Sequence, residues 1–143
     1  MNYLKYLKKM KGCPFCTLKK SEILKSNKHA NLILAKSPYT KDHLLVIPKK
    51  HKMKLSSLTK YEKEDVEKLI YFGMKKLHKK YKNVSVLYKE GKRKEIGKSI
   101  DHLHYHLIPN LAIGACDINN RTRKIYSDEE YLKKINEVKK RLK

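Results

Sequence analysis

The chain has no apolar run near the roughly 20 residues a bilayer-crossing helix requires, so no membrane span is expected. It has no internal repeat, and its five glycines and four prolines are too scattered to build a linker. One domain over residues 1–143 is the expected organisation. Acidic residues are scarce, 14 against 36 basic ones, and arginine is scarcer still. Only Arg93, Arg121, Arg123 and Arg141 carry a guanidinium; the other 32 basic residues are lysines. The resulting formal charge of +22 points to a polyanion such as nucleic acid or nucleotide. Bidentate reading of phosphates and base edges favours arginine, however, so a second reading stands beside it: a compositional bias toward lysine. The N-terminal "MNYLKYLKKMKG" has lysines inside its apolar pattern, which is not that of a signal peptide, and a cytoplasmic protein is expected. Cysteine occurs three times, as Cys13, Cys16 and Cys116. In a reducing compartment a close pair reads as a metal or redox site before a disulfide, and Cys116 reads as an ordinary thiol.

What is present, 40% apolar residues in 143, is enough for a globular fold with a modest core. Residues 1–11 read as an amphipathic helix with Tyr3, Leu4, Tyr6, Leu7 and Met10 on its apolar side, and "GCPFC" breaks it as a tight knuckle within residues 12–20. The core spans 21–110. "SEILKSN" and "ANLILAK" read as strands around the turn "NKH", and "HLLVIP" (His43–Pro48) as a buried strand. Thr59 followed by Glu62 is a capping box that opens the clearest helix, with Val66, Leu69, Ile70, Gly73, Leu77 and Tyr81 at helical spacing. Val84, Val86 and Tyr88 alternate in "NVSVLYKEG", a further strand. In the C-terminal segment 111–143, Ser127 and Glu130 form a second capping box ahead of a stripe of Tyr131, Ile135, Val138 and Leu142. Strands adjacent in sequence can pair as hairpins, so the expected class is α+β with a mainly antiparallel sheet.

Three of the seven histidines alternate in "DHLHYHLIPN" (Asp101–Asn110). In a strand, His102, His104 and His106 share one face, while Leu103, Tyr105 and Leu107 face the core. In a helix, residues two apart diverge and neither set is coherent. The split favours a strand, closed by Pro109. Alternate strand histidines suit a metal site, and neutral imidazole also suits nucleophilic catalysis.

The triplet resembles the His-φ-His-φ-His-φ-φ signature (φ apolar) of the histidine triad (HIT) superfamily. "CPFC" resembles the zinc knuckle of many members, "DHLLVIPKKH" a buried strand with a histidine at each end, and "GKSIDHLHYHLIP" the active-site strand with its preceding loop. The resemblance runs from about residue 12 to 142. It implies a HIT-like fold of about five strands with one long central helix and a C-terminal helix, assembled as a homodimer. It implies a nucleotide hydrolase or nucleotidyl transferase acting on the α-phosphate of nucleoside phosphate conjugates, with His104 forming a covalent nucleotidyl intermediate. His106 would contact phosphate oxygens or the leaving group, His43 would flank the pocket, and Ser99 would contact phosphate or protonate the leaving group. A structural zinc ion would be held by Cys13, Cys16, His51 and His102.

The chain departs from the family at Ala35, where many nucleotide-binding members carry an acidic residue that holds the ribose hydroxyls. It departs also at Lys89 and Lys98, where the family often has Asn and Gln. Two added cations beside the phosphate pocket suit a more anionic substrate, so both lysines are candidate substrate-binding residues. Two other functions stay open: a nucleotidyl hydrolase acting on nucleic-acid 5′ ends, which the +22 charge favours, and a non-catalytic nucleotide-binding protein, which the intact triad argues against.

Overall fold

The computed structural model describes residues 3–113 and 125–142, so Cys116, Arg121 and Arg123 lie outside the described residues. The chain divides into two compact units, residues 1–111 and 112–143. In the first, helix α1 (Tyr3–Lys9) leads into strands β1 (Ile23–Ser26), β2 (Ala30–Leu34) and β3 (Leu44–Pro48). Helix α2 (Lys60–His78), strand β4 (Val84–Tyr88), the short helix α3 (Arg93–Ile96) and strand β5 (Tyr105–Pro109) follow. Helix α4 (Asp128–Arg141) belongs to the second unit. Among the described residues, no helix is long and apolar enough to cross a membrane.

The five strands form one antiparallel sheet in the order β1-β2-β3-β5-β4. Local hairpins supply the β1-β2, β2-β3 and β4-β5 pairs. The β3-β5 pair is non-local, and it sets Leu45 opposite His106. That pairing brings the "DHLLVIP" and histidine segments side by side.

Both faces of the sheet are covered, which is why β3 is buried along its whole length rather than alternating. On one face, Ala30, Leu32, Leu44, Val46 and Leu107 pack against Val66, Leu69 and Leu77 of α2. Gly73 lets the helix come this close: a Cβ there would meet Leu107 Cδ1 at 2.5 Å. The Thr59 side chain accepts from the Glu62 amide at 3.2 Å, and Glu62 returns the bond to the Thr59 amide at 3.1 Å. On the other face, Ile33, Ala35, Leu45 and Ile47 pack with Phe15 of the knuckle and Ile100. Leu7 of α1 and Leu18 rest against this second cluster.

In the second unit, the Ser127 hydroxyl accepts from the Glu130 amide at 3.2 Å and caps α4, as its capping box predicts. Its apolar stripe is exposed at Tyr131, Val138 and Leu142.

One expectation needs correction. The strand carrying the histidines begins only at Tyr105, so His102 and His104 precede it. The chain bends there because Leu103 donates its amide to the Lys52 carbonyl at 2.6 Å, a bond to the loop after β3 rather than to a neighbouring strand. Within the strand the alternation holds: Leu107 packs in the α2-facing cluster with half-buried Tyr105, which stacks on Tyr88 at 4.9 Å; Leu103, before the strand, is buried.

Candidate active site and metal centre

His102, His104, His106 and His43 are all buried, at 1, 7, 8 and 2% exposure. Burial of four imidazoles excludes a solvated polar stripe and makes their hydrogen bonds decisive, because each neutral ring must place one donor and one acceptor.

The His104 Nδ1 lies 2.7 Å from the His102 carbonyl. A carbonyl only accepts, so Nδ1 carries the proton and Nε2 keeps its lone pair. The bend at residues 102–104 is what turns that carbonyl toward the ring. Burial holds the His104 pKa below the usual imidazole value, and the charges of Lys98 and Lys89 act in the same direction. A buried, neutral imidazole with one lone pair released has the form that nucleophilic catalysis requires.

His43 and His106 form a second relay. The Tyr39 amide donates to His43 Nδ1 at 3.1 Å, which leaves the proton on His43 Nε2. That nitrogen donates to His106 Nδ1 at 2.9 Å, so the remaining His106 proton sits on Nε2. Burial first, and then His104, push His43 down to about 4; burial, His104, His43 and Lys89 push His106 down to about 3. Both rings are therefore neutral at physiological pH. The Tyr39 ring stacks on both, 5.1 Å from His43 and 5.9 Å from His106. The loop carrying Tyr39 is tied down through Asp42, at φ 64° in the left-handed region, whose carboxylate accepts from the Tyr81 hydroxyl at 2.5 Å and from Lys80 at 3.3 Å.

These rings open on a pocket of about 80 Å³ lined by His43, His104, His106, Ser99, Lys98 and Tyr39, with Phe15 and Ala35 among its apolar walls. Ser99 and Lys98 line this pocket beside the histidines. Lys89 does not line the pocket; its amine donates to the carbonyl of Gly97, which does. Phe15 and Ala35 also wall an adjoining groove of about 770 Å³ bordered by Tyr6, Met10, Ile33 and Leu34. Ala35 is buried between the two cavities, so its position offers no carboxylate to a ligand.

His102 faces away from the pocket. Its Nε2 donates to the Pro48 carbonyl at 2.8 Å, which frees Nδ1 as a ligand atom. Cys13 Sγ lies 3.3 Å and Cys16 Sγ 3.6 Å from that nitrogen, and His51 Nδ1 lies 3.3 Å from Cys16 Sγ. One donor atom from each of the four falls within 4.8 Å of the others. A tetrahedral zinc site with bonds of about 2.0–2.3 Å needs ligand separations of about 3.5 Å, and the three separations of 3.3, 3.3 and 3.6 Å match it. The knuckle supplies the geometry locally: Gly12 at φ +82° starts the turn, and the Cys16 amide donates to the Cys13 carbonyl at 3.2 Å. Without a cation, burial and the adjacent Cys13 raise the Cys16 pKa; a divalent ion would supply the missing compensation. The Cys13–Cys16–His51–His102 cluster is thus compatible with zinc.

Three contributors escaped sequence reading. Tyr39 and Asp42 belong to the loop before His43 and act through non-local contacts that leave no periodic trace. Phe15 sits between the two cysteines, 5.3 Å from the His104 ring and 5.8 Å from His102, and so packs against both centres. An aromatic inside the knuckle was its one available signal.

The HIT domain family model matches residues 17–112, the stretch holding the whole sheet and all four buried histidines. The chain belongs to the HIT family. It is 30% identical over 126 residues to an uncharacterised HIT-like protein of Mycoplasma genitalium, covering 84% of this chain and 89% of that one. It is 32% identical over 104 residues to an adenosine 5′-monophosphoramidase of Schizosaccharomyces pombe, covering 68% and 74%. Among solved structures, the histidine triad nucleotide-binding protein of Candida albicans superposes with a TM-score of 0.70 at 24% identity, over 92% of this chain and 97% of that one. That likeness extends to the five-stranded antiparallel sheet of this HIT domain.

Proposed function

We propose that this HIT protein hydrolyses or transfers nucleoside monophosphate groups from nucleoside phosphate conjugates, with His104 as nucleophile. The observation that carries the reading is the 2.7 Å bond from His104 Nδ1 to the His102 carbonyl, which commits one nitrogen and releases the other into a pocket. The attack forms a bond from Nε2 to the α-phosphorus and breaks the bond to the leaving group. His106 Nε2–H, held by the His43 relay, donates to a phosphate oxygen, and Ser99 lines the same pocket. Water or another acceptor then releases the nucleotide from His104. The adjoining apolar groove suits a nucleoside base. A related protein named adenosine 5′-monophosphoramidase supports the substrate class.

In the same proposal, zinc is structural. Four protein ligands fill its coordination shell, so it braces the knuckle against the catalytic segment and takes no part in the chemistry. Free thiols in the ligand set suit a cytoplasmic setting. Strand β4 edges the sheet with Val86 46% exposed, which suits the symmetric partner of a homodimer.

The decisive experiment is intact-mass spectrometry after brief exposure to nucleoside phosphoramidates and dinucleoside polyphosphates. A mass gain of one nucleoside monophosphate, lost in acid and absent in His104→Ala, is expected. Wild-type protein that turns over none of these substrates and gains no mass would leave a non-catalytic nucleotide-binding protein as the better reading.

A further inference from the structure

Lys98 is an unusual lysine. Its side chain is only 5% exposed, at the wall of the catalytic pocket. It also borders a second groove of about 520 Å³ that includes Lys54, Lys92 and Arg93. Burying an ammonium group is costly unless it is fully paired. Its partner Asp101 lies 3.5 Å away, and the same carboxylate also faces Arg93 Nε at 3.3 Å. One negative charge therefore answers two positive ones. Glu90, the other carboxylate of this groove, accepts from the Leu55 amide and the Tyr88 hydroxyl, both at 2.8 Å, and its charge also acts on Lys54 and Lys98, yet these two carboxylates face Lys54, Lys92, Arg93 and Lys98 together. Lys89 adds a further cation: its amine is held at 3.2 Å by the carbonyl of Gly97, a pocket residue at φ +71°. Excess positive charge is thus fixed beside the nucleophile, at the boundary between the pocket and a basic groove.

We propose that Lys98 and Lys89 form a cationic subsite that selects a phosphoanhydride leaving group, an α-phosphorus joined through oxygen to a further phosphate, over an amine. The inference rests on the nucleotidyl-transfer reading of His104. In the anhydride, the P–Nε2 bond forms, the P–O bond breaks, and the electron pair stays on the departing phosphate oxygen. That oxygen leaves as an anion and needs cations, not a proton. In the phosphoramidate the pair goes to nitrogen, which must be protonated to leave. Fixed ammonium groups stabilise the first transition state directly, because charge develops where they already stand. The His43–His106 pair stays neutral at physiological pH and adds no positive charge of its own. The departing phosphate has two sources, the polyphosphate chain of a dinucleoside polyphosphate and the 5′ end of a nucleic-acid strand. Both present the same chemistry to Lys98, and the basic groove beyond it accommodates either.

The test compares kcat/KM of the zinc-loaded full chain for an adenosine phosphoramidate, a dinucleoside tetraphosphate and a 5′-adenylated oligonucleotide. Wild type, Lys98→Gln, Lys89→Asn, the double variant and Lys98→Arg are measured. The anhydrides are expected to lose at least tenfold more than the phosphoramidate in Lys98→Gln, and more again in the double variant. Lys98→Arg should recover most of the preference, which a merely structural role would not produce. Should Lys98→Gln fail to fold, the half-buried Lys89→Asn reads the same ratio. Loss confined to the tetraphosphate, or to the oligonucleotide, supports the subsite and identifies the source. Equal loss on all three overturns the subsite while leaving the His104 reading intact. No wild-type turnover of any of them overturns both.

Discussion

The two faces of the sheet are built from alternate residues of the same strands and have opposite characters. Leu44, Val46 and Leu107 face α2 in an aliphatic layer, where a helix glycine brings backbone against side chain. Their immediate neighbours, His43, Leu45 and His106, face the knuckle in a layer that mixes aliphatics with four buried imidazoles. The first face is satisfied by packing alone. The second is satisfied by specific partners for its ring nitrogens, namely a carbonyl, an amide, another imidazole or the cysteine cluster, while His104 Nε2 and His106 Nε2 are left to the pocket. One face is therefore held by packing and the other holds the groups of the proposed chemistry, and a substitution on each should separate the two.

His104→Ala should break the chemical face most sharply. Turnover is expected to fall at least about 1000-fold, since removing a nucleophile costs most of the rate. The melting temperature should barely move, because Ala leaves the carbonyl of His102 facing a wetted pocket. Cys13→Ser should break the proposed metal brace between the knuckle and the histidine segment. If metal stands at about 1000 times its Kd, its binding contributes about 4 kcal/mol, and most of that is lost when affinity collapses. Metal analysis should then find less than one zinc per chain; wild type that carries no metal when purified without chelator would reject the ligand set. Leu107→Ala, one residue from His106 but on the helix face, is expected to cost about 2–5 kcal/mol through a cavity. Its zinc content and its turnover per folded molecule should stay near wild type. A variant that lost metal as well would show the two faces to be coupled through the sheet.

Much of this division was legible in the sequence. Period-two alternation assigned the strand faces, Thr59 and Glu62 marked the start of α2, and the histidine triplet marked the face that holds the buried imidazoles. Each of these is a local pattern, set by where neighbouring side chains must point. The bend that delays β5 to Tyr105 was not legible, because it comes from a bond between Leu103 and Lys52, 51 positions apart in the chain. Nor was the proton order of the relays. It depends on the Tyr39 amide and the Pro48 and His102 carbonyls, backbone groups that every residue type supplies alike. Residue type showed that the imidazoles matter; only the fold shows which nitrogen of each is committed.

The smallest effect tests whether the second face is dry. His43 and His106 are held down to about 4 and about 3, chiefly by burial, with the charges of His104 and Lys89 adding to it; the Tyr39 ring covers both. The unfolded chain binds their protons near pH 6.5, and the folded chain does so only far below that. Between those values the unfolded state holds more protons, so stability falls as pH falls. The contribution is intact above about pH 6.5 and is lost progressively toward pH 4 and then 3. From pH 6.5 to 5.5 the loss should be about 1 kcal/mol per imidazole. Chemical denaturation at those two pH values, on wild type and on His43→Asn/His106→Asn, isolates it, because metal-linked protons are common to both proteins and cancel in the difference. The double variant should show the shallower slope. Equal slopes would mean that water already reaches the pair, and the aliphatic and histidine faces would then differ in composition but not in dryness.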